Sequence, residues 1–319
     1  MMIYITSNNY LTAEIPTSSS IKIDEQFSQQ NFEIFLERNL YNVVSLEFIN
    51  CNWLTSIPEL PNLTTLKCIY CYSLTNIPAL PNLTTLICNG CHDLTCIPEL
   101  PNLTTLDCSE CYRIVSISVQ PSLTSLDCSE CRMLSTIPLL PNLTALDCAR
   151  CNNLVIGIPL LPNLTKLNCN ACYRLTHIAE QPNLTELTCC YCEGLTAIPA
   201  LPNLTSLNCS CCYGLTSLPV LPNLTSLVYI CCSSLAIETI PLRFIKGLNI
   251  STLAKCLRYN PLNINDIFIR EKELELEAAL QIVSEYLEYA NFDTLTKLEE
   301  LMYGAGMPIP TLVKSARKV

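Results

Sequence analysis

One 20-residue sentence, LTxLxCxxCxxLTxIPxLPN, is restated ten times between Val43 and Pro241. Cysteine fills the same slot in every copy: Cys51, Cys71, Cys91, Cys111, Cys131, Cys151, Cys172, Cys192, Cys212 and Cys232. A unit this short cannot bury its own apolar face, so each copy must stack on its neighbours, and a solenoid is the only economical fold. Taking Leu63 as position 1, Leu66, Cys68, Cys71, Leu74, Ile77 and Leu80 fall at positions 4, 6, 9, 12, 15 and 18. The alternation at 4 and 6 predicts a strand with Leu66 and Cys68 inward and Thr65, Lys67 and Ile69 outward, paired in parallel with its copies. Pro78 and Pro81 exclude a helix on the return path, which leaves an extended, polyproline-like convex side.

The segment LTTLKCIYCYSL resembles the conserved segment of the leucine-rich repeat family in its cysteine-containing form, and TNIPALPN is similar to the short variable segment of 20-residue bacterial repeats found in secreted effectors. The commonest family pattern has Asn at position 9, where this chain has Cys. Residues 41–241 carry the resemblance. It implies a leucine-rich repeat solenoid, mostly parallel β-sheet, whose concave face binds other proteins. The Asn-, Ile- and Tyr-rich flanks also resemble leucine-rich proteins of giant DNA viruses of amoebae.

The flanks read as caps over the exposed ends of the array. In residues 1–40, Ser19 to Ile23 predicts a strand, and Asp24 is expected to cap a helix to Leu40 with Phe27, Phe32, Phe35 and Leu36 on one face. Trp53, the sole tryptophan, is expected to pack on this cap. Residues 242–319 are expected to form a helical segment, with helices over 271–290 and 293–303.

Eight copies read CxxC, and neighbouring pairs imitate the spacing of a zinc site. The position-6 slot holds Phe48 in the first copy and Tyr229 in the last, which fits a core position better than a ligand. The cysteines are therefore expected to pack as structural ladders, with position 9 meeting loop backbone, and no metal or cofactor is expected; metal or thiol storage is the lesser alternative. Eight NLT sequons, from Asn62 to Asn223, would crowd glycans about 5 Å apart if glycosylated. Asn is read as the turn residue before each strand, and the chain as intracellular, cytoplasmic with reduced thiols. The first residues lack a basic start and a sustained apolar stretch, so no secretory leader is expected, and no apolar run is long enough to suggest a membrane span.

A net charge of −10 argues against nucleic acid and favours a basic protein partner. At the outward position 5, Asp107, Asp127 and Asp147 are consecutive, and Glu110 and Glu130 join them from position 8. Arg113, Arg132, Arg150 and Lys166 are available to offset the repulsion of like charges on adjacent strands. Tyr72, Tyr112, Tyr173 and Tyr213, with His92, occupy position 10 and are candidate anchors, since aromatics are favoured at interfaces. His177 reads as surface filler. Cys256 has no downstream His or Asp set to activate it, the C-terminal segment is shorter than the ubiquitin-ligase domains that some repeat effectors carry, and no phosphate loop, nucleophile elbow or HExxH occurs. The expectation is a non-enzymatic interaction scaffold of undetermined oligomeric state, or alternatively a substrate-receptor adaptor whose C-terminal helices recruit a second protein.

Overall fold

The computed structural model describes residues 2–241 and 244, apart from residues 7, 12–14, 17, 18, 24, 40, 41, 237 and 238. The expected C-terminal helices and Cys256 lie outside the described residues. The chain divides into two units, residues 1–214 with 223–232, and residues 215–222 with 233–319.

The first unit is built on one 12-stranded parallel sheet whose strands follow chain order. Ten of its strands are the repeats, from Val43–Ile49 and Thr65–Ile69 to Ser226–Val228, one per coil. Registration is residue for residue: Leu66 pairs with Leu46 and Leu86, and Leu126 with Leu106 and Leu146. Leu66 and Cys68 are buried while Thr65, Lys67 and Ile69 are half-buried, as the alternation predicts. Positions 1, 4, 6, 9, 12, 15 and 18 together form the continuous core. A fully buried leucine contributes about 2 kcal/mol, so the stacked columns are the main source of stability.

Two columns of side-chain hydrogen bonds fasten the coils along one edge. The position-2 threonine hydroxyl donates to the position-2 carbonyl of the preceding coil in nine successive coils, as in Thr104 to Thr84 at 3.0 Å and Thr144 to Thr124 at 2.9 Å. The residue before position 1 donates to the proline carbonyl one coil back, Asn142 Nδ2 to Pro121 at 2.8 Å being typical. Asn is thus an inter-coil strut as well as a turn residue.

Position 8 is left-handed in all ten coils, with φ between 54° and 71°, although only Gly90 is a glycine there. Such a conformation is disfavoured for ordinary side chains. In the first nine coils it is held by the position-8 amide, which donates to the position-7 carbonyl of the next coil, as in Glu110 to Ser129 at 2.8 Å. Coil 6 carries one extra residue, and Gly157 absorbs it at φ 109°. A Cβ there would stand 2.6 Å from the His177 carbonyl oxygen. The return path is extended as expected, with short parallel pairings of Cys96–Ile97 with Ser116–Ile117 and an Ile158 to Ile178 bridge.

At the N-terminal end, Ser19–Ile23 is a strand, and outside it lies Met2–Ile5, which the sequence reading missed. The helix spans Gln29–Asn39, a shorter reach than expected. Ser28, not Asp24, is its cap: its hydroxyl accepts the Asn31 amide at 3.1 Å. Phe27, Phe32, Phe35 and Leu36 are buried. Trp53 packs against this cap, with ring centroids 5.8 Å from Phe27 and 6.1 Å from Phe32.

In the second unit, the described residues repeat the same logic. Ala236 donates its amide to the Thr216 carbonyl at 2.8 Å, and the buried Thr239 hydroxyl accepts the Leu218 amide at 3.0 Å while donating to the Ala236 carbonyl. Leu215, Leu218, Leu221 and Ile240 are buried.

Candidate functional site

The inner face of each coil is occupied by sulfur. Cysteines at position 6 are fully buried from Cys68 to Cys209, and those at position 9 from Cys51 to Cys212. From Cys91 onward the position-9 thiol donates to the position-6 carbonyl of the preceding coil, as in Cys91 to Cys68, Cys111 to Cys88 and Cys151 to Cys128, each at 3.0 Å. The Cys88 carbonyl also accepts the Cys91 amide at 3.3 Å, so both of its lone pairs are used in a dry interior. The neighbouring Cys151 thiol and burial together push the Cys128 thiol well above its ordinary range, and Cys108 is raised in the same way by Cys131 and burial. Thiols held protonated are poor nucleophiles and poor metal ligands. All described cysteines are free, and among the described residues no group of three or more His, Cys, Asp or Glu is arranged to hold a metal ion.

The outer face carries the acids. Asp107 is in register with Asp127, and Asp127 with Asp147, so the expected row exists. Each carboxylate is turned toward its own strand end. Asp107 Oδ1 accepts the Ser109 amide at 3.0 Å and its hydroxyl at 2.7 Å; Asp127 Oδ1 does the same with Ser129 at 2.9 and 2.7 Å. Asp147 Oδ1 accepts the Ala149 amide at 3.0 Å, and its Oδ2 accepts Asn168 Nδ2 at 2.8 Å. Burial raises the Asp147 carboxyl above its ordinary value, and the charge of Asp127 adds to this, while the two hydrogen bonds oppose it.

The four basic side chains do not neutralise this row. Arg113 pairs with Asp93 at 3.0 Å and Lys166 with Glu186 at 3.0 Å, whereas Arg132 and Arg150 both reach Glu130, at 3.1 and 2.7 Å. Those two guanidiniums hold the Glu130 carboxyl below its ordinary value. Hydrogen bonds from the strand ends, not ion pairs, make the aspartate row tolerable. Glu110 sits in the equivalent left-handed slot one coil earlier.

Position 10 forms a stack. Tyr72, His92 and Tyr112 lie ring on ring at centroid distances of 4.6 Å and interplanar angles of 23°, and the Arg132 guanidinium caps Tyr112 at 4.6 Å. Arg132 then links the stack to Glu130, and Glu130 to Arg150. Tyr72, Tyr112 and Glu130 therefore belong to one contact network, while Tyr173 and Tyr213 stand exposed in other coils.

Along the fastened edge runs a groove of about 1020 Å³, lined by Ser122, by Asn142 to Asn223 and by Thr124 to Thr205. Sequence reasoning passed over it. The signal was the identity of an outward threonine in nine coils, a position with no part in the core.

One parallel strand per coil, an apolar interior at fixed positions and an extended return define the fold class: a parallel β-solenoid like that of a leucine-rich repeat protein. Among solved structures the chain is similar to a leucine-rich repeat protein from Bacteroides ovatus ATCC 8483, at 18% identity over 61% of this chain and 70% of that one, with a TM-score of 0.35. No protein-family model and no curated protein matches it. No described helix is long and apolar enough to cross a membrane.

Proposed function

We propose that the first unit is a non-enzymatic protein-binding scaffold that receives a partner with a basic surface, in a compartment reducing enough to keep its thiols free. The observation that carries this reading is the contiguous network Tyr72, His92, Tyr112, Arg132, Glu130, Arg150, which runs over five successive coils, the last three of which also bear Asp107, Asp127 and Asp147. Side chains already held by stacking and ion pairing lose little further freedom when a partner covers them. Aromatic and arginine side chains are the commonest anchors of such contacts. The net charge of −10 would steer a basic partner toward the face and make capture sensitive to salt.

The test compares three baits: the parent chain, the triple variant Asp107→Asn, Asp127→Asn, Asp147→Asn, and the double variant Tyr72→Ala, Tyr112→Ala. The triple variant should fold, because Asn168 and Asn208 naturally fill the same slot and accept the same strand-end amides, at 3.2 and 3.3 Å. A partner held by the parent in a salt-dependent way and lost by both variants is the expected outcome. Equal retention by all three baits overturns the reading.

A further inference from the structure

Of the 23 cysteines, 18 fill positions 6 and 9, and five do not: Cys96, Cys190, Cys211, Cys231 and Cys256. Cys190, Cys211 and Cys231 fall in three successive coils, at position 7 or 8, off the strand's end. Cys211 and Cys231 occupy the same left-handed slot of adjacent coils, with φ of 59° and 61°. Their backbones are tied together, since the Cys211 amide donates to the Ile230 carbonyl at 2.7 Å. Equivalent residues of adjacent parallel strands stand about 4.8 Å apart. That spacing lies inside the Cα range of roughly 4.4–6.8 Å found for disulfides.

The same spacing applies to every pair in the buried ladders, so spacing alone does not distinguish this one. Access does. Cys231 is exposed and Cys211 lies at the margin of burial, 9% exposed, whereas the ladder thiols from Cys68 to Cys209 have no exposed surface.

We infer that Cys211 and Cys231 form a dithiol modification site, closed to a disulfide across adjacent coils by a two-electron oxidant of the azo type. In the first step the exposed Cys231 thiolate adds to one nitrogen of the N=N bond, forming an S–N bond, and the other nitrogen takes up a proton. Cys211 as thiolate then attacks Cys231 Sγ; the S–S bond forms, the S–N bond breaks, and the departing nitrogen is protonated to complete a hydrazine. Two thiols lose two electrons and two protons, and the azo compound gains both. The product staples the two coils covalently where the strand ladder ends.

The experiment treats the reduced full chain with diamide, blocks remaining thiols with N-ethylmaleimide, and maps peptides without reduction. A monomeric product carrying a Cys211 to Cys231 link is expected, with both residues losing maleimide in equal proportion and regaining it after dithiothreitol. In Cys211→Ser, Cys231 should stay alkylatable and no new internal link should form. The inference is overturned if Cys231 pairs instead with Cys190 or Cys232, if it links two chains, if it stays free in excess diamide, or if the urea-unfolded chain gives the same link in the same yield.

Discussion

At the scale of single residues, strain is placed where the backbone has a hydrogen bond to gain. Gly157 is the exception that side chains cannot share: at φ 109°, with the His177 carbonyl so near, Gly157→Ala should lower unfolding free energy by roughly 2 kcal/mol or more in urea titrations. Glu110→Gly, at a slot where other side chains tolerate φ near 60°, should leave stability unchanged or raise it by up to about 1 kcal/mol in the same assay. Asp147 gives a test in pH. Its carboxyl binds a proton more tightly folded than unfolded, so ionising it costs stability; that cost is absent below the ordinary carboxylate range and complete above the raised pKa. The gain of Asp147→Asn over the parent should therefore grow as pH rises from about 3 to 6. A gain independent of pH would mean that the carboxylate is not destabilised by its surroundings.

At the scale of the element, each coil is a set of columns, and the thiol columns make the sharpest prediction. Brief alkylation of the folded chain should modify Cys96 and Cys231 at once, and the ladder cysteines from Cys68 to Cys209 only after denaturation, as read by peptide mapping. Cys131→Ala removes a donor to the Cys108 carbonyl and leaves a small void, and should cost about 1–3 kcal/mol by urea titration. The core was legible in the sequence because periodicity alone assigns positions 4, 6, 9, 12, 15 and 18. The edge strand Met2–Ile5 was not, since a single strand outside the array has no period to reveal it. The buried Gln120 and Gln181 were also unreadable as core. They stand where other coils have leucine, and each earns its place by accepting an amide one coil back and donating to a proline carbonyl, as Gln120 does with Leu100 at 2.9 Å and Pro98 at 2.6 Å. Of the candidate site, the residues could be named but not their partners: which arginine meets which acid depends on side-chain reach across coils, and Asp107, Asp127 and Asp147 turned out to be bonded to their own strand ends.

For the whole molecule, stability in a stacked array is a sum of coils and the interfaces between them. Removing residues 104–123 takes out one 20-residue period and rejoins Leu103 to Thr124 in phase, so the shortened chain should fold, with a urea m-value lower by about one coil's share of buried surface. Removing residues 104–113 puts apolar and outward positions out of step and should abolish cooperative unfolding. The hydroxyl and amide struts along the groove edge bear on how such a chain changes over generations. Because each coil presents to its successor the same carbonyls that it claims from its predecessor, a duplicated or lost segment of one period finds its docking partners ready-made at both junctions. Gene growth by unequal exchange can then lengthen or shorten the array without new compensating mutations, and the outward side chains are left to diversify on a frame whose joints are interchangeable.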